Sequence, residues 1–180
     1  MRTEDVNILE SNLPRWKEIA GEVEDIGLLS GGGVESYILQ KLYPNAWITE
    51  LSIDDWNLTN KGDKNFDLIV ACNVFMYSRD PESWFKNVLE RCKYFWIQDL
   101  IRSWRCDASE CADGPGGDGD CMRFTMPPNY LARVDHAYDL TRLSDRIVEF
   151  DPYKTQGRPD KDALSFIMFL KGDLCPSEKS

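Results

Sequence analysis

From Leu68 onward, the segment Phe66 to Cys72 (FDLIVAC) contains no polar position. A strand with one wet face alternates apolar and polar residues, whereas an unbroken apolar run marks a strand covered on both faces, as in a parallel sheet sandwiched between helices. A chain with such a strand must supply helices for both sides and further strands beside it. Tyr94 to Ile101 (YFWIQDLI) is a second buried strand of this kind. Between the two, Arg79-Asp80-Pro81-Glu82 opens a helix, with Asp80 as N-cap and Pro81 at the first helical position. Its buried stripe is Trp84, Phe85, Val88, Leu89 and Cys92.

The same pattern extends in both directions. Leu9, Leu13, Trp16 and Ala20 keep helical spacing, and a proline tolerated only in a first turn predicts that this helix begins near Asn12, just before Pro14. Glu24 to Ser30 reads as a strand feeding Gly31-Gly32-Gly33, after which Val34, Tyr37, Ile38 and Leu42 line one face of a helix ended by Pro44. Ala46 to Ile53 (AWITELSI) is the next strand. Downstream come a helical stretch within Asn129 to Leu143, then strands at Arg146 to Tyr153 and Ala163 to Leu170, joined by the turn-forming TQGRPDKD. The expected fold class is α/β, a doubly wound and mostly parallel sheet with an antiparallel C-terminal hairpin. With 180 residues, 42% of them hydrophobic, the chain fills one core, so residues 1–180 read as a single domain.

Charge narrows the partners. Thirty-one acidic residues against 21 basic ones give a formal net charge of -10, which repels phosphate backbones and anionic lipid. Nucleic acid and membrane surfaces are therefore disfavoured as partners. The N-terminus lacks a secretory pattern and no apolar run is long enough to cross a bilayer, which points to the cytoplasm. Of six cysteines, Cys72 and Cys92 fall in apolar periodic segments, where a reduced thiol acts as a small hydrophobe. Residues 103–122 form a glycine- and aspartate-rich insert with Asp107, Glu110, Asp113, Asp118 and Asp120 between Cys106 and Cys121. It shows neither the ligand order of an EF-hand nor a paired CxxC, so no metal is assigned, and it reads as a lid over a crevice or as a disordered loop.

The order of these pieces, from Val23 to Leu170, resembles the class I S-adenosylmethionine-dependent methyltransferases: a glycine turn after the first strand, an acid ending the second, a central strand beginning Phe-Asp-Leu-Ile-Val, and a closing hairpin. Phe66 to Ile101 looks like that family's fourth strand, following helix and fifth strand. In the family the first turn reads acidic-x-Gly-x-Gly-x-Gly. Laying Gly31 and Gly33 on its last two glycines places Leu29 at the first glycine and Gly27 at the acid, so the motif is degenerate. Small residues that let backbone N–H groups and a helix N-terminus approach a ligand are retained.

The resemblance implies S-adenosylmethionine as cofactor, with Gly31 and Gly33 as its backbone contacts. It places Glu50, at the end of the second strand, on the ribose hydroxyls, with an outward-facing strand residue as the alternative. Only 16 residues separate Glu50 from Asp67. Either the family's third strand with its preceding helix is missing, or Ala46 to Ile53 is itself that third strand and Glu50 loses its place. Asp55 and Trp56 correspond to the acid and apolar neighbour set against adenine, with a packed turn as the alternative. Asn73, Phe75 and Tyr77 would border the methyl-transfer crevice. Asp99, with Gln98, and the lone histidine, His136, are the candidate catalytic proton acceptors, although a histidine in a helical stretch is also a common structural residue. Met126-Pro127-Pro128-Asn129-Tyr130 does not follow the central strand and is not taken as an amino-group methyltransferase signature. The expected function is methyl transfer to a small-molecule or sugar-like acceptor. The alternative is a non-catalytic methyltransferase-like protein that binds S-adenosylmethionine, or has lost it, and works through protein contacts.

Overall fold

A computed structural model describes residues 3–29, 33–51, 64–72, 74, 81–101, 123–125, 137–155 and 163–176. The chain forms a helix α1 (Thr3–Ala20), strand β1 (Asp25–Leu29), helix α2 (Gly33–Leu42), strands β2 (Trp47–Glu50) and β3 (Phe66–Cys72), helix α3 (Pro81–Leu89) and strand β4 (Cys92–Ile101). Short strands β5 (Arg123–Thr125) and β6 (Ala137–Asp139) follow, then a 3₁₀ turn at Leu140–Leu143 and strands β7 (Ile147–Thr155) and β8 (Ala163–Lys171).

Six strands form one sheet in the order β2-β1-β3-β4-β8-β7, and β5 pairs with β6 in a separate parallel ribbon. The first four strands are mutually parallel, while β8 runs antiparallel to both β4 and β7. The expected parallel sheet with a C-terminal hairpin is the architecture found. Pro152 lies within β7, the outermost strand, where a missing backbone donor is tolerated.

The unbroken apolar run in β3 has the cause inferred from it. Leu68, Val70 and Cys72 pack into a cluster with Leu9, Leu13, Trp16, Ile38 and Leu39 from α1 and α2. Ile69 and Ala71 pack on the opposite face with Trp84, Phe85, Val88 and Leu89 from α3. The sheet is thus wound on both faces. Cys72 and Cys92 are buried free thiols within these clusters.

Four sequence expectations change. Cys92, read as the last residue of the α3 stripe, instead opens β4, because α3 ends at Leu89. The first helix starts at Thr3 rather than near Asn12 and runs through Pro14. Leu9, Leu13 and Trp16 are all buried, and each contributes about 1.5–3 kcal/mol. Together these exceed the roughly 3 kcal/mol cost of a mid-helix proline, whose ring here is exposed. Trp16 is held further by stacking on Phe169 at 5.5 Å and by an indole N–H donated to Glu149 Oε2 at 3.2 Å. The buried face of α2 is Glu35, Ile38 and Leu39, whereas Val34 and Tyr37 are 47% and 69% exposed. Both stripes share Ile38, and the one the fold uses carries an acid that pattern reading rejects. The expected helix within Asn129 to Leu143 is, over the described residues 137–143, strand β6 and the 3₁₀ turn. Its strand partner, Arg123–Thr125, is distant in sequence, so no local periodicity announces it.

At the amino ends of the central strands, Asp67 Oδ2 accepts backbone N–H bonds from Glu24 at 2.8 Å and Asp25 at 3.1 Å, and Asp67 Oδ1 meets Lys93 Nζ at 2.6 Å. One carboxylate so ties together the starts of β1, β3 and β4. Partial burial pushes its pKa up, but the Lys93 ammonium and the two N–H donors outweigh that and hold it below its ordinary value. Because the folded pKa is depressed, this stabilisation is fully present above the ordinary value of 3.8 and is lost as pH falls through and below it. Asp67→Ala should cost about 2 kcal/mol in urea unfolding at neutral pH, and the gap between variant and wild type should shrink as the solution is acidified below that value.

After β8 the backbone turns tightly against β4: Gly172 N–H donates to Lys93 O at 2.8 Å, and a Cβ at Gly172 would lie 2.0 Å from Cys92 O. The obstacle is backbone and cannot rotate away. Gly172→Ala should therefore lower stability by about 3 kcal/mol, read as a fall in the denaturation midpoint.

Candidate functional site

The strand order reverses once among the parallel strands. From β1 the chain passes through α2 to β2 on one side, then returns to β3 on the other side of β1. In open α/β sheets, the carboxyl ends of strands at such a reversal leave a crevice in which ligands bind. The features to weigh are therefore the ends of β1 and β3, the start of α2, the end of β2 and the outer part of β4.

At the start of α2, Gly33 has nothing within 4 Å of where a Cβ would stand. The first-turn N–H groups of a helix have no backbone acceptor within it, so a helix terminus beside open space suits a ligand that accepts hydrogen bonds. Gly27, within β1, is the opposite case: a Cβ there would lie 3.0 Å from Leu51 Cδ1 and 3.3 Å from both Ile69 Cγ1 and Phe66 Cδ1. The position corresponding to the motif's acid is packed shut by three apolar side chains.

Strand β2 lies directly beside β1, with Trp47 opposite Asp25 and Glu50 opposite Leu28. It is therefore the second strand of the pattern, which resolves the open alternative. Among the described residues no strand lies beyond it. Glu50 ends β2 and is exposed, and the following Leu51 N–H donates to Leu28 O at 2.8 Å, extending the ladder by one bond.

On the other side of the crevice, β3 ends at Cys72 opposite Gln98, while β4 continues through Ile101 beside β8. Asp99 therefore stands one residue beyond the end of β3. Gln98 and Asp99 are both 0% exposed. Strand alternation puts Gln98 on the Trp96 side, facing α1 and α2, and Asp99 on the Phe95 and Ile97 side, facing α3. Three inter-strand spacings, on the order of 14 Å, separate the strands of Glu50 and Asp99, so these two carboxylates do not act on one atom. Gly33, Glu50 and Asp99 thus share the carboxyl end of the sheet. Gly31, Asp55, Trp56, Asn73 and His136 lie outside the described residues, as does the insert at 103–122.

One polar group was not anticipated. Glu35, in the first turn of α2, is buried, and its Oε2 has no hydrogen-bond partner. Burial pushes its pKa up, against the lesser opposing pull of its own backbone N–H. The sequence signal was its spacing three and four residues before Ile38 and Leu39.

Comparison with solved structures identifies the fold. No protein-family model matches the chain, and no curated protein matches its sequence. A methyltransferase from Methanosarcina mazei superposes with a TM-score of 0.53 at 14% identity, over 84% of this chain and 92% of that one. The plantazolicin methyltransferase BpumL in complex with S-adenosylhomocysteine superposes with a TM-score of 0.52 at 11% identity, over 95% and 86%. The N-methyltransferase NodS from Bradyrhizobium japonicum, also in complex with S-adenosylhomocysteine, does so with a TM-score of 0.50 at 15% identity, over 93% and 87%.

The chain has the class I methyltransferase fold. Within this methyltransferase fold, the degenerate glycine motif acquires a physical reading: Gly27 is a packing glycine and Gly33 faces open space. The two should respond oppositely to added bulk. Gly27→Glu should unfold cooperatively at a much lower temperature or fail to fold, whereas Gly33→Val should keep native circular dichroism and a melting temperature near that of wild type. Equal losses in the two variants would contradict the packing described here.

Proposed function

We propose that this chain binds S-adenosylmethionine at the carboxyl ends of β1 and β3 and transfers its methyl group to a small-molecule acceptor. The observation that carries the reading is the chain reversal at β1, beside a helix opened by a glycine with nothing in front of it. The likeness to methyltransferases, two of them solved with S-adenosylhomocysteine, supports the same ligand. The available groups suit it: donors at the start of α2, an exposed carboxylate at the end of β2, and buried polar side chains on β4.

In this reading the backbone at Gly31 and Gly33 approaches the ligand closely, and Glu50 accepts hydrogen bonds from the ribose hydroxyls. Asp55 and Trp56 would take the adenine, one through its exocyclic amine and the other through ring stacking, with Asn73 at the crevice rim. The sulfonium supplies an electrophilic methyl carbon. What the protein adds is chiefly alignment, since orientation alone supplies a large part of such a barrier. Asp99 and His136 are the candidate acceptors for a proton leaving a hydroxyl or amine acceptor. The excess of negative charge favours a small or sugar-like acceptor over nucleic acid, and the buried free thiols of Cys72 and Cys92 suit a cytoplasmic setting. No helix among the described residues is long and apolar enough to cross a membrane.

A second reading, binding without turnover, is favoured by one observation. The place of the motif's acid is occupied by Gly27 and closed by Leu51, Ile69 and Phe66. Calorimetric titration with S-adenosylmethionine, followed by a radiolabelled methyl-transfer assay across hydroxyl and amine acceptors, separates the two. We expect binding, weakened by Gly33→Val without loss of fold and by Glu50→Ala by about 1–3 kcal/mol. Absence of any heat with natively folded protein would overturn both readings, while binding with no transfer to any acceptor would select the second.

A further inference from the structure

Glu35 is 3% exposed, and one of its carboxyl oxygens has no hydrogen-bond partner. An unsatisfied buried polar group is a cost to folding that an apolar residue in the same stripe would not incur. Ile38, Leu39 and Leu42 would continue a fully apolar face through position 35. The carboxyl therefore weakens the fold where it sits, and a ligand that satisfies it accounts for its presence.

Side chains on a helix lean toward its N-terminus. Glu35 stands in the first turn of α2, two residues after Gly33, at the end of the helix that Gly33 leaves open. A helix start alone favours anions; a buried acid there adds a hydrogen-bond acceptor, which an N–H donor carrying positive charge would satisfy.

Resting on the cofactor reading above, we propose that the Glu35 carboxylate receives the primary ammonium group of the amino-acid portion of S-adenosylmethionine. That molecule carries two positive centres, and the orphaned oxygen chooses between them. A sulfonium has charge but no N–H, so it cannot satisfy a hydrogen-bond acceptor. The primary ammonium supplies both charge and donor. Glu35 is a binding residue in this assignment, distinct from the proton acceptors that would serve the methyl acceptor.

The test is calorimetric titration of wild type, Glu35→Gln and Glu35→Leu with three ligands: S-adenosylmethionine, S-adenosylhomocysteine, which keeps the ammonium but lacks the sulfonium, and 5′-methylthioadenosine, which lacks both. Melting temperatures of the free proteins are recorded in parallel. We expect both variants to lose about tenfold or more in affinity for the first two ligands and to bind methylthioadenosine as wild type does. Glu35→Leu should melt at or above the wild-type temperature, since it removes an unpaired buried acid. Unchanged affinity in folded variants, equal losses for all three ligands, or a loss confined to S-adenosylmethionine would each overturn the ammonium assignment while leaving the cofactor reading intact. A wild-type protein that binds none of the three would overturn that reading, and this assignment with it.

Discussion

Burial of β3 on both of its faces is the constraint on which the rest of the structure depends. Leu68, Val70 and Cys72 are covered by α1 and α2, and Ile69 and Ala71 by α3. A strand in that position needs parallel neighbours and helical crossovers on both sides, and those crossovers place α2 and α3 on opposite faces of the sheet. The aromatic contacts follow from the same layering: Trp16 lies against Trp96 and Phe169 on one face, and Trp84, Phe85 and Phe95 meet edge to face on the other.

The two ends of the sheet are finished differently. At the amino ends, Asp67 gathers backbone donors from the start of β1 and an ammonium from Lys93 on β4, a closed and satisfied arrangement. At the carboxyl ends, Glu35 is buried with an oxygen that lacks a partner, and Gln98 and Asp99 lie fully covered at and just past the end of β3. Stability is concentrated at one end and chemical opportunity at the other, as expected where the strand order reverses above the carboxyl ends. The packed Gly27 explains how a degenerate motif is compatible with the methyltransferase fold, since the chain fills the acid's place with apolar side chains while leaving the helix start accessible.

Residue pattern alone determined the layer architecture, the extent of β3, the start of α3 at Pro81 and the closing hairpin, because burial on two faces, proline chemistry and apolar periodicity are local properties of the chain. It also located Glu50 at the end of a strand, without deciding which strand that was. Tertiary structure alone decided the rest. Strand neighbours placed β2 against β1, and distant burial of Leu9 carried α1 through Pro14. Packing against the sheet selected the stripe of α2 that contains an acid, and a partner distant in sequence made Ala137–Asp139 a strand. In each case the deciding free energy comes from contacts between residues far apart in sequence, and a window of neighbouring residues carries no record of it.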